Sequence, residues 1–142
     1  MELEHLCDGE YRYDPPPTMI SPYAGNEALA FGGGTGRLTG GQLTGEITWS
    51  NFPRIRDDGV ALPNLTGRVE TDDAILLFET RGVSVPDEST GSRRICSSVR
   101  FHTEAEELRW LNDALVVEEG RIDLASMAVH SRMWVCIPEV GS

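Results

Sequence analysis

Apolar and polar residues alternate with a period of two through most of this chain. Leu43, Gly45, Ile47 and Trp49 interleave with Gln42, Thr44, Glu46 and Thr48, the signature of a strand with one buried face. Residues 2–13 predict a first strand, ended by Asp14-Pro15-Pro16-Pro17, because consecutive prolines cannot donate to a ladder. Further strands are predicted over 27–32 and 37–49. The stretch 50–64 has two prolines, an Asp-Asp-Gly turn signal and no clean period, and predicts a long surface loop. Runs at 65–71 and 74–81, separated by Asp72-Asp73, predict a hairpin, and 86–92 a further turn. Strand character returns over 93–102.

The period then changes. Thr103-Glu104-Ala105-Glu106 has the pattern of a capping box, and Leu108, Trp110 and Leu111 follow it, predicting one short helix over 104–113. Residues 114–118 predict another strand, Glu119-Gly120 a turn, and 124–137 a long final strand. Many short strands with turns between them predict a mainly β protein, either a sandwich or a closed barrel; of the two, the expectation is a single small closed antiparallel β-barrel of about eight strands with one short helix, spanning 1–142. Closure removes sheet edges and leaves room inside for side chains or one small ligand.

Residues 31–46, FGGGTGRLTGGQLTGE, hold seven of the fifteen glycines. A phosphate-binding loop needs Lys-Ser/Thr after its last glycine, but Gln42-Leu43 follows Gly41, and all twelve basic residues of the chain are arginine. The dinucleotide fingerprint fails as well, since Thr39 stands where its third glycine belongs. The glycines instead predict bends or close backbone approach in a sheet.

Composition narrows the partners. A formal net charge of −11 argues against nucleic acid or an anionic membrane surface. The longest apolar run, 74–78, is far short of a membrane-spanning helix. The acidic amino terminus is unlike a secretory signal, and Cys7, Cys96 and Cys136 are odd in number and far apart, so a reduced, cytoplasmic protein is expected.

The segments GGGTG, LTGEITWSNFPRIRDDG, LPNLTGRVETDDA, FETRG, RFHTEAEELRWLN and VVEEGRID occur in an order that resembles the domain of unknown function family 3237, over roughly 28–137. The resemblance implies a small closed antiparallel barrel, often oligomeric, and implies little about activity. Two positions depart from the family pattern: His102 stands where glutamate is common, and Asp73 where glycine is common.

Three groups of residues are candidates for chemistry. The final strand sets Ala128, His130, Arg132, Trp134 and Cys136 on one face, opposite an apolar face of Met127, Val129, Ser131, Met133, Val135 and Ile137. His130 beside Arg132 and Trp134 reads either as an acid/base group in a ligand site or as part of an exposed or subunit-contacting face. In the central hairpin, Glu79 and Arg81 share the parity of Ile75 and Leu77. Glu79 is therefore expected in the lumen, paired with Arg68 or Arg81, either structurally or as a catalytic carboxylate. The loop after Trp49 carries Arg54 and Arg56, able to anchor a carboxylate or phosphate at the barrel mouth, or simply solvated. The histidines are too scattered for a metal motif, and no cofactor is implied.

These readings converge on a small organic molecule as partner. The first function they predict is a cofactor-independent isomerase, lyase or cyclase working by proton transfer on a carbonyl compound, with His130 and Glu79 catalytic. Trp49, Arg54, Arg56, Arg68, Arg81, Arg132 and Trp134 would then bind the ligand. The alternatives are a non-catalytic, lipocalin-like binder and a homo-oligomeric structural protein.

Overall fold

Alternate residues of a strand leave its two faces, so a sheet that closes on itself divides its residues into lumen and exterior. The computed structural model, which describes residues 1–140, closes in this way. Its strands are β1 Glu2–Tyr13, β2 Thr18–Ile20, β3 Ala28–Thr39, β4 Gly45–Asn51, β5 Arg54–Ile55, β6 Ala61–Leu62, β7 Asn64–Glu70, β8 Ile75–Asp87, β9 Ser92–Thr103, β10 Leu115–Asp123 and β11 Ala128–Ile137. Eight of them form an antiparallel ring in the order β1-β11-β10-β9-β8-β7-β4-β3, which shuts where β3 pairs with β1. The predicted closed barrel is therefore the observed fold.

Three predicted boundaries move. The run 27–49 is not broken at its glycines: β3 continues from Ala28 to Thr39, and the turn lies at 40–44. The loop 50–64 contains the short β5–β6 pair, which bridges β3 and β8 at one end of the barrel. Glu119-Gly120 is not a turn; β10 runs straight through it, and the chain reverses at 124–127 instead.

The glycines of β3 serve tight coiling. In register, Gly34 lies between Tyr13 and Trp49, and Gly36 between Tyr11 and Ile47. A Cβ on Gly34 would overlap the Arg12 carbonyl oxygen, and one on Gly36 the Glu10 carbonyl oxygen and the Tyr11 side chain. The space so left holds an aromatic cluster. Trp49 meets Tyr11 and Tyr13 edge-on, with ring centroids 5.5 and 4.7 Å away.

One end of the barrel is solid. Leu6, Leu38, Val69, Leu76, Phe101 and Val116 are fully buried there, each contributing about 1.5–3 kcal/mol by leaving water. The predicted helix forms as a 3₁₀ helix, Glu106–Asp113, and plugs this end with Leu111. Its cap differs from the expected box. The Thr103 hydroxyl accepts from the Ala105 amide (3.1 Å), and the Asn112 side chain clamps both backbone groups of Thr103 at 2.8 and 2.9 Å.

Cys7 lies inside this packed end, and burial pushes its thiol up to about 12. Cys96 is exposed on β9. In the folded protein, iodoacetamide followed by mass spectrometry is expected to label Cys96 readily and to leave Cys7 unmodified until denaturant is added.

Candidate functional site

The other half of the barrel is open. A cavity of about 180 Å³ enters between β2, the β5–β6 pair and the 124–127 turn, and descends toward β10. Its rim is apolar, with Pro17, Met19, Pro53, Ile55, Leu124 and Met127 among the lining residues. Met127 adopts a left-handed backbone (φ 59°), uncommon for a non-glycine residue.

The buried carboxyl of the cavity is Glu118 of β10, 3% exposed. Along β10, Val116, Glu118, Gly120 and Ile122 share one parity, and Val116, Glu118 and Ile122 are all buried. The Tyr11 hydroxyl donates to Glu118 Oε2 at 2.7 Å, and the Ser131 hydroxyl donates to the same oxygen at 2.8 Å. Among the described residues none donates a hydrogen bond to Glu118 Oε1. Burial raises the Glu118 pKa above its ordinary value, and the two hydrogen bonds offset this only in part. Both donors occupy Oε2, so the proton of the neutral acid belongs on Oε1, the oxygen free to meet a ligand. Tyr11 is itself buried, and its phenol is raised well above the usual range by burial and by Glu118.

Around this acid stand donors without acceptors. Trp49 and Ser97 line the cavity, and their Nε1 and Oγ atoms are buried and have no hydrogen-bond partner among the described residues. Ser97 faces Glu118 across the β9–β10 ladder. The Asn51 amide is oriented by the Asn64 N–H, which donates to its Oδ1 at 2.9 Å, so its Nδ2 donates to the Tyr13 hydroxyl at 2.9 Å. The Tyr13 O–H proton is thereby left unspent.

Arg93 of β9 also lines the cavity and is half-buried. Its guanidinium donates to Ser84 Oγ (2.9 Å), Ser84 O (2.8 Å) and Gly59 O (2.6 Å), all neutral acceptors. Among the described residues no carboxylate pairs with it, and burial lowers its pKa.

Of the residues singled out from the sequence, only Trp49 lines this cavity. Glu79 is on the outer surface, a correction. Leu76, Phe78, Thr80 and Ser84 are the buried residues of β8, while Ile75 and Leu77, whose parity Glu79 shares, are 51% and 58% exposed. Among the described residues no ion pair joins Glu79 to Arg68 or Arg81. Both arginines are exposed, and Arg81 donates to the carbonyls of Thr80 and Leu65. His130, Arg132 and Trp134 also point outward, because Val129, Ser131, Met133 and Val135 take the lumen face of β11. On the surface His130 lies 3.6 Å from Glu10 and Arg132 lies 3.9 Å from Asp8, while Trp134 packs edge-on against His5. Arg54 is exposed on β5, and Arg56 is spent on Asp58, whose pKa this partnership lowers to about 2.

Exposed pairs of this kind add little stability. His130→Ala and Arg132→Ala are each expected to stay within about 0.5 kcal/mol of the parent in urea denaturation.

No family model matches this chain, and no curated protein does. Solved structures show its fold. A β-barrel-like protein from Acinetobacter baumannii superimposes with a TM-score of 0.83 at 19% identity, covering 94% of each chain. A conserved protein of unknown function from Rhodopseudomonas palustris gives 0.83 at 17% identity, over 96% of this chain and 97% of the other. An enzyme from Penicillium herquei gives 0.70 at 16% identity, over 95% of this chain and 94% of the other.

Proposed function

We propose that the barrel binds a small, largely apolar carbonyl compound in its lumen and catalyses proton transfer on it without a cofactor, as an isomerase, lyase or cyclase does. The observation that carries this reading is Glu118: a buried carboxyl with one oxygen fixed by two hydroxyls and the other unspent beside an open cavity. A raised pKa makes its carboxylate a stronger base than an exposed glutamate, and its acid form a proton donor over a wider pH range. As a base, Glu118 Oε1 takes the proton from the carbon next to the carbonyl, and the electron pair moves onto the carbonyl oxygen. The unpartnered Trp49 Nε1–H and Ser97 O–H are the donors available to that oxyanion. Return of the proton to carbon, or to oxygen, completes an isomerisation.

That a protein of the same fold is an enzyme supports this reading as far as fold can. The likeness to the domain of unknown function family 3237 belongs to the same proposal. The test is hydrogen–deuterium exchange at the carbon next to the carbonyl in small aryl ketones such as acetophenone, followed by NMR in heavy water. The protein is expected to accelerate exchange in ketones that bind. Binding without acceleration in any of them would leave a non-catalytic binder.

A further inference from the structure

Arg93 is an unusual arginine for this chain. The protein carries a formal net charge of −11, so acidic partners are plentiful, yet the guanidinium at the cavity wall meets none of them. Its three hydrogen bonds leave from Nε and Nη2 to neutral oxygens, which hold the side chain in place and do not neutralise it. Among the described residues Nη1 makes no bond at all. A half-desolvated cation with a fixed plane and both Nη1 donors unspent is a poor structural element and a good receptor for an anion, which those donors meet with charge-assisted hydrogen bonds. The unspent Tyr13 O–H stands close enough for Arg93 and Tyr13 to perturb each other's ionisation.

The cavity also has a direction. Ser97 sits opposite Glu118, and Arg93 lies four residues further along β9, roughly 13 Å nearer the mouth. The cation is thus at the mouth and the acid at the floor, with Tyr13, Trp49, Ile95, Ile122 and Val129 among the residues lining the cavity they share. An engineered apolar cavity of about 150 Å³ takes up benzene, so the 180 Å³ here suits a body of about one six-membered ring with a short substituent.

We infer that the natural ligand is a small carboxylic acid with a ring-sized apolar body, bound with its carboxylate on Arg93 and Tyr13 at the mouth and its other end toward Glu118. This rests on the lumen being the ligand site and adds the chemical class of what enters it. Free neutral ketones would be weak surrogates for a ligand that carries this charge.

The test uses phenylacetate and its neutral isostere phenylacetamide, titrated by calorimetry into the full-length protein and into Arg93→Gln and Arg93→Lys variants whose folding is checked by circular dichroism. Phenylacetate is expected to bind the parent protein at least about tenfold more tightly than the amide. Arg93→Gln is expected to abolish that preference while keeping amide binding, and Arg93→Lys to retain part of it, since charge survives and the fixed Nη1 donor position does not. Equal binding of acid and amide, or a preference that persists in Arg93→Gln, overturns the carboxylate inference and leaves the lumen as a site for neutral molecules. Binding of neither probe at millimolar concentration, in protein shown to be folded, overturns both.

Discussion

Glu118→Gln is expected to slow proton exchange in a bound ketone by about 10²–10⁴-fold, the usual contribution of a positioned acid/base group, while leaving binding nearly unchanged. Glutamine keeps the shape of the side chain and still offers an oxygen to the Tyr11 and Ser131 hydroxyls. It removes only the group that titrates. The same variant carries a second signature, in stability. Glu118 has a folded-state pKa above its ordinary value of 4.5, because burial penalises the carboxylate. A group of that kind gives its full stabilisation below its unfolded pKa and loses it as pH rises through the folded pKa. The parent protein is therefore expected to lose stability relative to Glu118→Gln as pH rises from about 4.5 upward. Urea denaturation of both proteins across that range gives the difference directly. A difference independent of pH would mean that the carboxyl does not titrate abnormally.

Gly34→Ala is expected to destabilise the fold by about 3 kcal/mol, the upper part of the overpacking range. The new methyl would meet the Arg12 carbonyl, which is backbone in the β1–β3 ladder and has little freedom to retreat. Relief requires β3 to uncoil, which would also disturb the Trp49–Tyr13 contact at the cavity. Gly41→Ala is the control: nothing lies within 4 Å of its added Cβ, and a change within about 0.5 kcal/mol is expected. Chemical denaturation of the two variants separates close backbone approach from a general cost of replacing glycine. Equal effects at both positions would remove the coiling argument.

The fold was legible because period-2 patterning survives in a barrel with one wet and one buried face. The two faces of β11 separated cleanly in the sequence, with Val129, Met133 and Val135 together, and the structure puts that set inside. What misled was the assumption that chemistry-bearing residues mark the lumen. His130 and Arg132 are the polar, outward members of an alternation that simply keeps charge in water. On β8 the run Ile75-Leu76-Leu77-Phe78 is apolar at both parities, so the sequence could not show which parity faces inward, and Glu79 followed the wrong one.

Glu118 was hidden for a different reason. Glu119-Gly120 looks like a turn and ends the predicted strand at Glu118, yet Gly120 is there because a Cβ would crowd the neighbouring β11 backbone at His130 and Ser131. Reading Val116, Glu118, Gly120 and Ile122 as one strand face would have placed a carboxylate among core residues. Likewise Arg93 shares the parity of Ile95, Val99 and Phe101, and that spacing was its signal. The unspent donors on Trp49 and Ser97 could not be found this way, since whether a donor has a partner is a three-dimensional fact.

The most direct measurement is the ¹³C titration of the Glu118 side-chain carboxyl by NMR in the folded protein, assigned by comparison with Glu118→Gln. The proposed chemistry predicts a midpoint above the ordinary glutamate range, moving higher still when an anionic ligand such as phenylacetate occupies the lumen. A midpoint at or below the ordinary range, unmoved by ligand, would contradict it.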